Sequence, residues 1–157
     1  MTKPLSGMYA ALLTGFADDG SFSEQRQIAI TNYVLNQNLS GIYIGGSSGE
    51  SGLMSTDELL EQQRIVAGIP ETKTTRVIAH VGQPNLRDSI ALAKQAESLG
   101  FEALSALPPH SYPFSDDDIL HYYTELSAAT SLPMIVYEVP IRTGRPVPES
   151  LLLKILD

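Results

Sequence analysis

The sequence predicts an α/β fold built on a parallel sheet, and three observations predict it. Five β-rich runs, Met8–Leu13, Gly41–Ile44, Arg76–Val81, Ala103–Leu107 and Pro133–Val139, alternate with amphipathic stretches. The runs begin roughly every 30 residues, the length of one βα unit. Each intervening stretch opens with helix-start chemistry. Such alternation requires crossovers that return every strand parallel to the one before, in a doubly wound sheet or a closed barrel.

The elements follow in order. After the first run, Ser21 precedes Glu24 by three residues, a capping-box spacing, and Ile28, Leu35 and Leu39 supply a helical apolar face. The second run ends in Gly45-Gly46-Ser47-Ser48-Gly49-Glu50. A second box, Ser55 with Glu58, then opens a helix through Leu59, Gln62/Gln63 and Val66. The third helix carries Ile90, Ala93 and Ala96/Glu97, and Gly100 after Leu99 reads as its stop. Ser115 precedes Asp116, Asp117 and Asp118, carboxylates suited to the positive end of a helix dipole. Pro148-Glu149 starts a fifth helix with Leu151, Leu152, Ile155 and Leu156. No linker or low-complexity tract interrupts the pattern, so residues 1–157 read as one domain. A closed eight-unit barrel takes about 250 residues, so a barrel here supplies about five of its units.

Composition narrows the function. Apolar residues make up 43% of the chain, enough for a core. With no cysteine there is no disulfide, thiolate metal site or cysteine nucleophile, which fits a reducing, cytoplasmic setting. The start, Met1-Thr2-Lys3-Pro4, lacks the apolar stretch of a signal peptide, and no run is long enough to span a membrane. A formal charge of −8 argues against nucleic acid and against an anionic membrane as partners. His80, His110 and His121 fall on separate elements without ligand spacing, so no metal is expected.

The glycine-rich segment after the second run carries the strongest chemical signal. Glycines permit positive φ and close approach to the backbone, and two adjacent hydroxyls with nearby N–H groups make a cradle for a carboxylate. The segment lacks the lysine of a phosphate loop. Gly45-Gly46-Ser47-Ser48-Gly49 also spells the serine nucleophile elbow, which would make Ser47 a hydrolase nucleophile with Asp116–Asp118 and His121 downstream. A glycine-rich turn with incidental serines is the plain alternative. Tyr137, ending the fifth run, is placed either to relay protons or to pack with a wet hydroxyl. Arg142 beyond Pro140 is placed to pair with a carboxylate or to sit solvated in a loop. Glu50 reads as a partner for loop N–H groups.

Taken together and in order, these segments resemble the N-terminal half of the N-acetylneuraminate lyase / dihydrodipicolinate synthase family of class I aldolases. The resemblance rests on Leu12-Leu13-Thr14 with Asp19-Gly20, Gly45 to Glu50, Ile78-Ala79-His80-Val81-Gly82, Gly100-Phe101-Glu102-Ala103 through Pro113-Phe114, and Tyr137-Glu138-Val139-Pro140 with Arg142-Thr143-Gly144. It implies a (β/α)8 barrel, commonly a homo-tetramer, that uses pyruvate or another 2-oxo acid through a lysine Schiff base and needs no cofactor. By the same resemblance Ser47 and Ser48 bind the pyruvate carboxylate, Tyr137 is the acid/base, and Arg142 holds a distal carboxylate. Family lysines lie on the sixth strand, so none of Lys3, Lys73, Lys94 and Lys154 is expected to form the imine, and the 157-residue chain alone is expected to be inactive. Ser111 stands where family members often place an interfacial tyrosine. Tyr112-Pro113-Phe114-Ser115 looks like the lyase branch and Arg142-Thr143-Gly144 like the synthase branch, so the two expected activities are sugar-acid cleavage and condensation of pyruvate with an amino-aldehyde. A non-catalytic carboxylate-binding role is the reading from a different class.

Overall fold

A computed structural model describes residues 4–157, which fall into two units, residues 4–80 and 81–157. Lys3 lies outside the described residues.

The first unit contains β1 (Tyr9–Ala11), α1 (Glu24–Leu35), β2 (Gly41–Ile44), α2 (Thr56–Gly68) and β3 (Arg76–His80). Its strands are parallel, with Tyr9 beside Gly41 and Gly41 beside Arg76. Register is tight at Gly41, where a Cβ would lie 2.4 Å from the Tyr9 ring and 2.5 Å from the Arg76 carbonyl. Ser55 caps α2 in the expected box, its hydroxyl accepting from the Glu58 N–H while the Glu58 carboxylate accepts from Ser55. The first helix departs from expectation. Its N-cap is Ser23, which accepts from the Arg26 N–H, whereas Ser21 bonds back to the Asp19 carboxylate in an Asx turn. Asp19 thereby outcompetes the helix for Ser21. The buried positions of α1 are Gln27 and Thr31, whereas Ile28, Leu35 and Leu39 are only half-buried.

The second unit holds α3 (Leu86–Ser98), β4 (Ala103–Ala106), α4 (Asp116–Ala128), β5 (Met134–Val136), a single turn α5 (Pro140–Thr143) and α6 (Glu149–Leu156). Strands β4 and β5 are parallel, with Leu104 beside Met134. Asn85 caps α3, which ends as expected at Gly100. There the Phe101 N–H reaches the Ala96 carbonyl and the Gly100 N–H the Glu97 carbonyl, a Schellman closure. Ser115 and Asp118 form a second capping box on α4. Pro148 is the N-cap of α6 rather than its first helical residue. The core of this unit is apolar: Leu92, Ala96, Leu104 and Leu126 are fully buried. Each such leucine contributes about 1.5–3 kcal/mol. Two buried tyrosines satisfy themselves locally. Tyr122 shares its hydroxyl with Ser89 at 2.7 Å, and burial pushes its pKa up to about 12. Tyr123 donates to the Ala106 carbonyl at 2.8 Å, and burial raises it further.

Candidate active-site residues

In the first unit the segment after β2 does not run into a helix. Gly45, at φ +67°, breaks the strand, and Ser47–Gly49 form a single 3-10 turn. Glu50, left-handed at φ +55°, separates it from a second such turn, Ser51–Leu53, and α2 begins only at Thr56. A nucleophile elbow needs an immediate strand-to-helix turn, so this geometry does not serve a Ser47 hydrolase. His80, in the same unit, faces the Tyr43 hydroxyl at 3.4 Å. Gly46 lies under that same tyrosine, where a Cβ would meet the ring at 2.3 Å.

The turn is tied by its own backbone: the Gly49 N–H donates to the Gly46 carbonyl at 3.0 Å, Glu50 to Ser47 at 3.1 Å and Ser51 to Gly46 at 3.4 Å. Glu50 does its joining through the main chain; its exposed carboxylate has no partner among the described residues, contrary to the expectation that it would bind loop N–H groups. The Ser47 and Ser48 hydroxyls, half-buried and exposed respectively, also have no hydrogen-bond partner among the described residues. Both occupy the first positions of a 3-10 turn, where the leading N–H groups have no partner within the turn itself, an arrangement suited to an anion.

Residues that the sequence reading did not single out support this turn from behind. The Thr14 hydroxyl donates to the Gly49 carbonyl at 2.5 Å and accepts from the Gln62 amide at 3.0 Å. Gln62 also donates to Gln27 Oε1 at 3.1 Å, which accepts in addition from the Gly15 N–H at 3.1 Å. Spacing put Gln62 on the face of its helix with Leu59 and Val66, but nothing in the sequence joined it to Gln27 or Thr14.

In the second unit Tyr137 follows β5, half-buried, with its N–H donated to the Ala106 carbonyl at 2.9 Å. That carbonyl thus serves both Tyr137 and Tyr123. Arg142 sits on α5, exposed, and its guanidinium makes no ion pair among the described residues. It borders a cavity of about 470 Å³ with Pro108, Tyr112, Phe114, Arg145 and Val147. The neighbouring Arg145 is already occupied by the Asp116 carboxylate and the Phe114 carbonyl. His110, whose Nδ1 lies 3.1 Å from the Ser111 hydroxyl, is held below the usual histidine pKa, first by desolvation and then by the Arg142 charge. Ser111 is itself left-handed, at φ +77°. None of the described lysines stands at a strand end: Lys73 lies in the 3-10 segment Pro70–Thr74, Lys94 on α3 and Lys154 on α6, all exposed.

Residues 4–151 match the model of the dihydrodipicolinate synthetase family. The chain is 40% identical over 146 residues to an N-acetylneuraminate lyase of Rhizobium meliloti and 42% identical over 144 residues to one of Actinobacillus pleuropneumoniae. It spans about half the length of these curated relatives, 48% and 49%, while 92% and 90% of its own length is covered. Among solved structures, CdNal from Clostridium difficile in complex with mannosamine matches with a TM-score of 0.87 and 32% identity, over 98% of this chain and 53% of that one. The wild-type sialic acid aldolase of Ruminococcus gnavus matches with a TM-score of 0.88 and 28% identity, over 96% of this chain and 50% of that one. Such neighbours are barrel aldolases, and the five βα units here correspond to about half of their fold. The chain belongs to the dihydrodipicolinate synthetase family.

Proposed function

We propose that the protein is a pyruvate-dependent class I aldolase that cleaves N-acetylneuraminate or 2-keto-3-deoxy sugar acids. One observation carries the reading: two serine hydroxyls with no partner of their own head a turn that is pinned from behind. They donate to the substrate carboxylate, and each such bond to a charged acceptor is worth about 1.5–3 kcal/mol. A lysine amine then condenses with the C2 ketone and expels water to give an imine. Cleavage of the C3–C4 bond leaves an enamine and an aldehyde, and protonation followed by hydrolysis frees pyruvate. Tyr137 carries the proton transfers. The amine comes from outside these 157 residues, since no described lysine lies at a strand end. The 157-residue chain alone is therefore inactive, because the supporting groups of a covalent pathway fail together with its nucleophile. The working protein is a cytoplasmic homo-oligomer; no helix among the described residues is long and apolar enough to cross a membrane.

Pyruvate release, with borohydride trapping of the imine, tests this on the chain alone and on the chain extended by the C-terminal half of the Rhizobium meliloti relative. Turnover and a trapped adduct are expected only from the extended protein. A robust adduct from the short chain would overturn the assignment of the amine. Arg142 favours a second reading, because its guanidinium is uncommitted beside a cavity and would suit an aldehyde that carries a carboxylate. Consumption of a carboxylated amino-aldehyde with pyruvate, faster than any sugar-acid cleavage, would decide for synthase chemistry.

A further inference from the structure

The buried amides beneath the serine turn have a direction, and that direction follows from which of their partners lack a choice. Gln27 is fully buried, and its side chain faces the Gly15 N–H at 3.1 Å and the Leu13 carbonyl at 3.3 Å. A backbone N–H only donates and a carbonyl only accepts, so the Gln27 amide has one permitted orientation, Oε1 toward Gly15 and Nε2 toward Leu13. The same Nε2 reaches the Thr31 hydroxyl at 3.3 Å, whose own proton goes to the Gln27 carbonyl at 2.8 Å. Gln27 Oε1 therefore presents an acceptor to α2. Gln62, also fully buried, must turn its Nε2 toward it, at 3.1 Å. That same Nε2 lies 3.0 Å from Thr14 Oγ1, so Thr14 receives a proton there and must spend its own elsewhere. Its two acceptors are the Gly49 carbonyl at 2.5 Å and, much weaker, the Met54 sulfur at 3.7 Å.

We infer that Gln27 and Gln62 are positioning residues for the carboxylate cradle: they fix the Thr14 hydroxyl as a donor to Gly49 and so set the turn that carries Ser47 and Ser48. A threonine hydroxyl with no such upstream donor rotates between partners. Here two side chains on separate helices remove that freedom through backbone groups that cannot reverse their roles. The orientation starts at Gly15 and Leu13 and ends at the Gly49 carbonyl, with every intermediate hydrogen bond made between buried or half-buried groups. The ligand role of the turn rests on the carboxylate reading above; the relay itself does not.

Amide exchange in the folded chain tests the relay. Gln62→Met keeps length and removes both donors. Exchange of the Gly49, Glu50 and Ser51 amides is expected to rise about tenfold, while the β2 amides of Ile42–Ile44 keep their protection. Since Gln62 acts through Thr14, the effect is expected to vanish in a Thr14→Val background, and Thr14→Ser is expected to restore wild-type exchange. Gln62→Leu replaces the methionine variant if that one does not fold. Unchanged exchange in the turn, a rise shared equally by β2, full additivity with Thr14→Val, or failure of both Gln62 variants to fold would each overturn the inference. A parallel pyruvate titration of the wild-type and Gln62→Met chains separates the two claims. No binding by the wild type, with the exchange pattern as expected, removes the carboxylate reading and leaves the relay standing.

Discussion

The turn after β2 and the segment after β5 are each closed by three backbone hydrogen bonds of their own, in the second from Arg142 and Thr143 to the Val139 carbonyl and from Gly144 to the Pro140 carbonyl, and they differ in what lies behind them. The first is held by three backbone hydrogen bonds within itself and by a buried side-chain network beneath it. The second leaves β5 through Tyr137 and passes into a one-turn helix in which Ile141 is 94% exposed and Arg142 has no ion pair among the described residues. A single helical turn has no cooperative reserve, so its geometry depends on what packs against it. The contrast separates two tasks. Recognition of a small invariant group, a carboxylate, suits a rigid donor array. Contact with a variable partner suits a segment that adapts.

Four measurements break or sharpen this contrast. The largest effect belongs to the double variant Ser47→Ala/Ser48→Ala in the extended protein. Losing two bonds to a charged acceptor is expected to weaken 2-oxo acid binding by roughly a hundredfold or more, with thermal unfolding unchanged. An unchanged KM would return the serines to an ordinary turn. Next, Leu59→Ala removes a fully buried side chain from α2 beneath the rigid turn, and about 2–5 kcal/mol of stability is expected to go with it in chemical denaturation. Ile141→Ala on the adaptable segment is expected to change stability by less than about 0.5 kcal/mol. Comparable losses at the two positions would erase the distinction.

Third, Ser55→Ala deletes the capping box of α2 and is expected to cost about 1 kcal/mol. The smallest effect concerns His110. Its folded pKa lies below the unfolded value, so the folded state binds fewer protons than the unfolded one as pH falls through about 6.5. Stability from this group is thus present above that pH and lost as pH drops toward the folded pKa. In Arg142→Ala one of the two causes is gone, and NMR titration is expected to show His110 moving up toward its ordinary value while remaining depressed by burial. A titration that ignores Arg142 would mean that the guanidinium is screened from the imidazole.

What was legible in the sequence was whatever depends on local chemistry. Strands β2 to β5 begin within a residue of the positions that periodicity suggested, and the box at Ser55, the acidic helix start after Ser115 and the stop at Gly100 form as their residue types dictate. The failures have a common cause in competition among polar groups. Ser21 is drawn to Asp19 before the helix can use it, leaving Ser23 to cap α1. Gln27 and Thr31 take the core positions expected of Ile28, Leu35 and Leu39, because a pattern of apolar residues cannot register polar ones that satisfy each other. The turn α5 was invisible because four residues are too few to show a period. Among the candidate residues, Ser47 and Ser48 could be picked out by their place in the glycine-rich turn after β2. Thr14, Gln27 and Gln62 could not be joined to them, since 35 residues of chain separate the two glutamines and only folding brings them together.

Two residues near these sites, Glu50 and Ser111, occupy the left-handed region that a glycine would enter more freely. For protein engineering they are not equivalent. Ser111→Gly offers a gain in stability of up to about 1 kcal/mol in the loop between β4 and α4. Glu50→Gly offers a similar gain on paper, yet it would soften the joint between the two 3-10 turns. A stabilising library built on this chain would therefore enrich glycine at residue 111 when survival is scored by folding. Scored by carboxylate capture, it would retain a side chain at residue 50, and the divergence of the two selections would separate the fold's preferences from the ligand's.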